Sequence, residues 1–172
     1  RYSIWKEKSN NIMSNNKSDD ILFVPSLSWW DNKVIIQAIE KLITEDFEKN
    51  ITIRLHPAAY IKHSDKIKID KWIFEGKIIH SRKSLQEDFM NSSTVVGATS
   101  TLIAEATLVG LKTISLKNID FLFSPLVADR IIDTKDITNE VLSIKIQDVS
   151  EQNKLYYFDI LGLNFPVYRL IN

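Results

Sequence analysis

Short apolar segments alternate with helical patterns along most of the chain, and this alternation constrains the fold more than any other feature. Five apolar segments are predicted to be strands: residues 21–26, 51–57, 76–81, 94–98 and 112–116. Between them, apolar residues recur at helical spacing, most clearly over residues 31–47, 84–92 and 100–110. Such alternation is typical of parallel sheets that are covered by helices on both faces. The sequence therefore predicts an α/β fold with a doubly wound parallel sheet of about five to six strands.

The two ends of the chain are less regular than its centre. Residues 9–20 are polar and rich in Asn and Ser, so residues 1–20 are predicted to be a linker and residues 21–172 one domain. Because the chain begins with Arg1 rather than Met, we expect it to be a piece of a longer protein, with residues 1–20 as the lead-in to the domain.

Two further predictions concern helices. Asp31 is predicted to be the N-cap of the first helix, since it directly precedes the apolar periodic residues. Past residue 116 the strand–helix alternation weakens, and helical patterns cover residues 136–144 and 150–160.

Composition excludes several classes of function. The chain has 22 Lys and Arg against 22 Asp and Glu, so its formal net charge is zero and we expect no nucleic-acid partner. No apolar run approaches the roughly 20 residues of a membrane span, and no signal-peptide pattern is present. We therefore expect a cytoplasmic location, with peripheral membrane association of the longer protein left open. The absence of cysteine excludes disulfides, thiolate metal sites and a cysteine nucleophile.

In an open parallel sheet, ligands bind outside the carboxyl ends of the strands. The residues that follow the predicted strands are therefore the candidates for a binding site. They include the substrate-binding candidates Ser26, His56, Pro57, Ser81 and Ser84, together with residues 97–101.

The segment 97–105 joins a buried strand to a helix and carries several polar groups. Gly97 ends the strand and would let a ligand approach closely, while Thr99, Ser100 and Thr101 fall at the helix N-terminus. Free N–H groups, the helix dipole and hydroxyl donors favour a phosphate at such a place. Glu105 is expected to face the same loop and to accept hydrogen bonds from a ribose. The alternative is that Ser100 is only an N-cap and Glu105 only a solvated helix residue.

A second candidate group follows the second strand. Pro57 fixes the turn directly after His56, so the imidazole is expected to point into the ligand crevice. There it could donate to a phosphate or help to neutralise a leaving nucleotide, and His56 is the candidate catalytic residue. The alternative is a histidine whose hydrogen bonds are satisfied by its own loop.

The "LHP" at residues 55–57 and the "GATSTLIAEATLVGLKTISL" at residues 97–116 resemble the C-terminal, donor-binding half of GT-B glycosyltransferases. More narrowly, they resemble bacterial sialyltransferases, capsule Kdo transferases and CDP-glycerol polymer transferases. The resemblance covers about residues 21–116 and implies a Rossmann-like domain. By this resemblance, His56 would contact the donor phosphate, Ser100 and Thr101 would bind the phosphate, and Glu105 would bind the ribose. Residues 81–85 would line the base.

The same resemblance implies a metal-independent enzyme that builds bacterial capsule or surface polysaccharide and needs no cofactor. Its donor would be a CMP-, CDP- or UDP-linked sugar, and its glycan acceptor would bind to the missing N-terminal domain. That domain would also carry the catalytic base, so this chain alone is expected to be inactive. Two alternatives remain open: half of a sugar-nucleotide 2-epimerase, and a non-catalytic flavodoxin-like binding module.

Overall fold

The computed structural model describes residues 19–117 and 128–142, and these form a six-stranded sheet in which all neighbouring strands are parallel. The strands are β1 (Ile21–Phe23), β2 (Ile51–Ile53), β3 (Ile79–His80), β4 (Thr94–Gly97), β5 (Lys112–Leu116) and β6 (Arg130–Ile132). The helices are α1 (Trp29–Thr44), α2 (His63–Phe74), α3 (Leu85–Met90), α4 (Thr101–Leu108) and α5 (Ile137–Leu142), with a 3₁₀ turn at Thr134–Asp136.

The order of the strands across the sheet is β3-β2-β1-β4-β5-β6. The chain therefore moves outward from β1 to β3, returns to the centre at β4 and then moves outward in the opposite direction. Strands β1 and β4 are neighbours in register, with Leu22 opposite Val95. A crevice opens at the carboxyl ends of the two strands where the order reverses, and this is the usual ligand site of such sheets.

Strand β1 is buried on both faces, as its unbroken apolar sequence requires. Ile21 and Phe23 pack into one core with helix α1, whereas Leu22 and Val24 pack into a second core with helix α4. Successive side chains of a strand point to opposite faces, so this alternation places the two cores on the two sides of the sheet. The predicted doubly wound α/β fold is confirmed.

One helix and one strand were not predicted from the sequence. Helix α2 lies in a stretch rich in charge, and among its twelve residues only Ile69 and Trp72 are buried. Strand β6 is short and partly exposed at the edge of the sheet. Both present too few buried apolar residues to give a periodic signal.

The start of helix α1 differs from the prediction by three residues. The helix begins at Trp29, and its N-cap residue is Ser28, which makes no side-chain cap hydrogen bond. Asp31 is therefore not the N-cap but lies in the first turn, buried with 1% of its surface exposed. The helical pattern predicted over residues 136–144 is confirmed by α5 in its described part. The pattern over residues 150–160 and most of the linker lie outside the described residues.

Burial lowers the pKa of Lys112, at the start of β5, to about 8. Its ammonium donates to the main-chain oxygen of Glu140 at 2.9 Å and so ties β5 to α5.

Within residues 19–117 and 128–142, no helix combines the length and apolar character that crossing a membrane requires.

Gly97 closes strand β4 where the strand packs on helix α4. A Cβ at this position would lie 2.9 Å from Cδ1 of Ile103 and 3.0 Å from Cγ2 of Val24. The missing side chain therefore serves contact between β4, β1 and α4, which is a different reason for glycine from the ligand approach suggested by the sequence.

The Gly97→Ala variant is expected to lose about 1 to 2 kcal/mol of unfolding free energy, because the new methyl overpacks this contact. Adding Ile103→Val removes the nearest carbon atom, so the double variant should lose less than the sum of the two single changes. Urea unfolding of the four proteins measures this coupling. Strict additivity would show that Ile103 does not limit the space at Gly97.

Candidate functional site

A pocket of about 690 Å³ lies at the carboxyl end of the sheet, where the strand order reverses. Its walls are the loops that follow the first four strands, together with the first turn of α4. The lining residues are 25–28, 54–57, 81–83, 85 and 99–102. The pocket is therefore in the place that the topology of the sheet favours for a ligand.

Seven of the ten residues selected from the sequence line this pocket. They are Ser26, His56, Pro57, Ser81, Thr99, Ser100 and Thr101. Residues that are up to 75 positions apart in the sequence, Ser26 and Thr101, are thus brought to one surface. Ser84, Gly97 and Glu105 are not among the residues that line it.

The N-terminus of helix α4 forms one wall. Ser100 is its N-cap, as one of the two sequence interpretations has it, and its hydroxyl oxygen accepts from the N–H of Leu102 at 3.3 Å. The main-chain oxygen of Ser100 accepts from the N–H of Ile103 at 3.1 Å. The N–H and hydroxyl groups of Ser100 and Thr101 donate to no residue within the described ranges. These donors and the positive end of the helix make this wall suited to an anion.

The hydroxyl of Thr99 has another partner. It donates to Oδ2 of Asp31, and the N–H of Thr99 also reaches that oxygen at 3.3 Å. The hydroxyl of Ser26 donates to the same oxygen at 2.6 Å. Because each hydroxyl has a single proton, Thr99 and Ser26 present only lone pairs to the pocket. The role of hydroxyl donor to a phosphate therefore fits Ser100 and Thr101, and not Thr99.

Asn32 fixes the loop after β1 from the neighbouring position on α1. Its side-chain oxygen accepts from the N–H of Ser26, and its amide donates to the main-chain oxygens of Ser26 and Tyr60, each at 3.0 Å. Asn32 has only 1% of its surface exposed. This buried amide thus connects the loops that follow β1 and β2.

His56 is exposed at the mouth of the pocket, and its loop determines which nitrogen can donate. The N–H of Ala58 donates to Nδ1 of His56 at 3.0 Å. In the neutral ring the proton therefore lies on Nε2, which is the nitrogen left to donate to a ligand. The loop therefore satisfies one ring nitrogen, as one of the two sequence interpretations has it, whereas a contact of Nε2 with a phosphate stays a prediction.

A buried carboxylate, that of Asp88, fixes the loop after β3. Asp88 accepts the hydroxyl of Ser81 on Oδ1 and a guanidinium N–H of Arg54 on Oδ2, both at 2.6 Å. Asp88 is buried, with 3% of its surface exposed. Through this carboxylate, the loops that follow β2 and β3 are joined to helix α3.

The charge of the pocket lining is of one sign. Arg54, Arg82 and Lys83 line it together with His56, and no Asp or Glu is among the lining residues of the described chain. Among residues 19–117 and 128–142, no three His, Asp or Glu side chains come together as a metal site would require. The lining is thus complementary to an anion.

Besides Gly97, two predicted residues lie outside the lining, and each has a defined structural position. Ser84 is the N-cap of α3 and forms a capping box with Glu87, in which its hydroxyl donates to Oε2 at 2.7 Å. This hydrogen bond and the N–H of Ser84 hold the pKa of Glu87 below its usual value. Glu105 lies inside the molecule with 1% of its surface exposed, so it is not a solvated helix residue. Its contact with a ribose stays a prediction.

Four residues of this site were not selected from the sequence: Asp31, Asn32, Arg54 and Asp88. Two of them are acidic side chains near helix N-termini, and each is followed or preceded by apolar residues of a core-facing helix. Acidic residues are common in the first turn of a helix, so neither carboxylate gives a distinct signal by itself. The hydrogen-bond partners of these carboxylates lie up to 68 residues away and cannot be identified from spacing.

Comparisons with known proteins identify the fold. No protein-family model matches the sequence, and no curated protein matches it. The structure is similar to TarM, with a TM-score of 0.56 and 13% identity over 91% of this chain and 34% of that chain. It is similar to the wall teichoic acid polymerase TagF, with a TM-score of 0.56 and 12% identity over 90% of this chain and 43% of that chain.

A third similar structure is that of HepE from Anabaena, solved in complex with UDP and glucose. Its TM-score is 0.58, with 13% identity over 98% of this chain and 52% of that chain. This chain thus spans between about a third and a half of the length of these three proteins. Identities this low show the fold: the chain has the Rossmann-like α/β architecture of GT-B glycosyltransferases.

Proposed function

We propose that this chain is the donor-nucleotide-binding half of a metal-independent glycosyltransferase that makes a bacterial capsule or surface polysaccharide. The observation that carries the proposal is the pocket at the carboxyl ends of β1 and β4. It combines a helix N-terminus, three cationic side chains and a donor imidazole nitrogen, with no carboxylate among the described residues that line it. A nucleotide phosphate is the ligand group that fits such a surface.

The first support is the position of the N-terminus of α4 in the sheet. Helix α4 starts directly after β4, so its N-terminus opens into the crevice beside β1. The N–H groups of Ser100 and Thr101 can bind phosphate oxygens without any movement of the backbone. Donors that are already in place stabilise charge more effectively than water, which must reorient as the charge develops.

In glycosyl transfer, the bond between the anomeric carbon and the nucleotide phosphate breaks, and negative charge grows on the departing phosphate oxygen. In this proposal, Nε2 of His56 donates to that oxygen, while the N-terminus of α4 stabilises the remaining charge. Both groups act on the leaving group, so the proton of the attacking hydroxyl needs another acceptor. We infer that this base and the acceptor site belong to a second domain outside this chain.

The electrostatics of the pocket also support independence from a metal. A divalent cation would commonly neutralise a departing nucleotide, but it needs oxygen ligands from the protein. The described lining offers cations in place of carboxylates. Arg54, Arg82 and Lys83 would then supply the positive charge themselves.

The chain is expected to bind CMP, CDP, UMP or UDP weakly, with a Kd in the high micromolar to millimolar range. One domain forms only part of the contact surface of a two-domain enzyme, which limits the affinity. Ligand-observed NMR with each nucleotide measures this. Absence of a saturable signal from all four would contradict the proposed function.

Replacing Ser100 and Thr101 together by alanine should weaken nucleotide binding about fivefold or more, because two hydroxyl donors are lost at the N-terminus of α4. Loss of the N-cap should cost about 1 kcal/mol of unfolding free energy as well. Ser84→Ala is the matched control, since Ser84 is also an N-cap but does not line the pocket. If both variants bind nucleotide equally well and differ from the parent only in melting temperature, the hydroxyls at Ser100 and Thr101 are structural.

The chain alone should transfer no sugar. In the longer enzyme that contains it, His56→Ala should lower kcat about a hundredfold or more, because the departing phosphate loses a donor. His63→Ala is the control, since His63 is an exposed histidine that does not line the pocket. Turnover of sugar nucleotides with and without acceptor is the measurement. Equal kcat values for the two variants would remove His56 from the mechanism.

A further inference from the structure

Two hydroxyl oxygens of the pocket lining share one buried acceptor. Ser26 follows β1 and Thr99 follows β4, and the hydroxyls of both donate to Oδ2 of Asp31. Two oxygens that donate to the same atom lie within about 6 Å of each other. Both residues are half-buried and line the pocket. Ser26 and Thr99 therefore form one place in the lining, which we call the hydroxyl pair.

Asp31 fixes the hydrogen-bond polarity of the hydroxyl pair. A carboxylate only accepts, so both hydroxyl protons point at its Oδ2. Oγ of Ser26 also accepts from the N–H of Ser28 at 3.1 Å, whereas Oγ1 of Thr99 accepts from no residue of the described chain. The hydroxyl pair can therefore offer a ligand only lone pairs, and most of them are on Thr99.

This polarity is the opposite of that of the next residues in the chain. Thr99 directly precedes Ser100, the N-cap of α4, so the Cα atoms of the two residues lie about 3.8 Å apart. The N-terminus of α4 presents N–H and hydroxyl donors, which suit phosphate oxygens. A phosphate oxygen has no proton to donate to the hydroxyl pair. A ligand group that binds to the pair must therefore be a hydrogen-bond donor, and it must lie directly beside the phosphate.

The carboxylate at position 31 also opposes the binding of an anion. It lies behind Thr99, beside the place that suits a phosphate, and like charges repel each other. Its charge is buried, with 1% of the surface of Asp31 exposed, and burial of a charge costs stability. A neutral side chain would avoid both costs and would leave the two hydroxyl protons free to turn toward a phosphate. The carboxylate instead provides two oxygens that can only accept.

We propose that Asp31 is a positioning residue that, through the hydroxyl pair, selects a donor with a free hydroxyl group beside the phosphate bound at α4. This inference rests on the proposed function of the pocket. The ligand hydroxyl donates to Oγ1 of Thr99 or to Oγ of Ser26. Two parts of a sugar nucleotide carry such hydroxyls close to a phosphate: the transferred sugar and the ribose.

The first experiment compares Thr99 with Thr101, each replaced by valine, which exchanges the hydroxyl for a methyl group. The probe is inorganic pyrophosphate, which binds as a hydrogen-bond acceptor, and its Kd is measured by NMR titration. Thr101→Val should weaken binding about threefold or more, whereas Thr99→Val should change the Kd less than about twofold because the Thr99 proton is held by Asp31. Equal weakening by the two variants would show that Thr99 donates to the anion, and this would overturn the inference.

A double-mutant cycle with Asp31→Ala tests the positioning role itself. Removal of the carboxylate releases the Thr99 proton, so in this background Thr99→Val should weaken pyrophosphate binding about threefold or more. The change of charge is common to both arms of the cycle and cancels. If Asp31 only holds the loops together, Asp31→Ala lowers the melting temperature but Thr99→Val has the same effect in both backgrounds, and the inference is wrong. The comparison of Thr99→Val with Thr101→Val stays decisive if Asp31→Ala does not fold.

The last experiment identifies the hydroxyl, with UDP-glucose, UDP and a UDP analogue that lacks the ribose hydroxyls as probes. Thr99→Val should weaken about threefold the binding of each ligand that supplies the hydroxyl. A loss confined to UDP-glucose identifies the transferred sugar, and a loss shared by UDP-glucose and UDP identifies the ribose. If Thr99→Val weakens none of them, the inference is overturned and the proposed function stands. If the unchanged chain binds neither pyrophosphate nor any of these nucleotides, the proposed function fails as well.

Discussion

The buried carboxylate of Asp31 is the interaction on which the arrangement of the pocket depends. Its Oδ2 accepts from Ser26 after β1 and from Thr99 after β4, the two strands between which the order of the sheet reverses. A carboxylate with 1% of its surface exposed is stable only if such donors satisfy it. The two loops must therefore stay close to α1, and helix α4 starts in a fixed position relative to β1.

The same principle recurs on the other side of the pocket. Asp88 lies behind Arg54 and Ser81 as Asp31 lies behind Ser26 and Thr99. In both cases the negative charge is inside the protein and the groups that it orients line the pocket. The charged side chains of the described lining are thus all cationic, although the chain as a whole has a net charge of zero. Local arrangement, and not overall charge, makes the site suitable for an anion.

The sequence predicted the fold well because the central strands are apolar on both faces. Strands β1, β4 and β5 lie between helices, so burial leaves a continuous hydrophobic signal. Helix α2 gave no such signal, since its mean hydropathy is low and its buried face is narrow. The start of α1 was misplaced because Asp31 has the chemistry of an N-cap, and only the folded chain shows that its partners are Ser26 and Thr99.

The candidate site was predictable in location and less so in its details. The rule that ligands bind at the carboxyl ends of parallel strands was sufficient to select His56, Ser81, Ser100 and Thr101. The direction of each hydroxyl proton depends on the nearest acceptor in space, so the donor role of Thr99 could not be assessed from its neighbours in sequence. Arg54 was overlooked for a similar reason: its fixed orientation comes from Asp88, which is 34 residues away.

The pairing of β1 with β4 also has a consequence for how the protein folds. The hydroxyl of Ser93, directly before β4, donates to the main-chain oxygen of Asp20, which precedes it by 73 residues. Parallel pairings between strands so far apart in the sequence form slowly, because a long loop must first be closed. The pocket spans that junction, so a partly folded chain without β4 has no binding site. A ligand that binds only the native state pulls the folding equilibrium toward it by mass action. A ligand of this pocket would thus stabilise the complete sheet rather than any part of it.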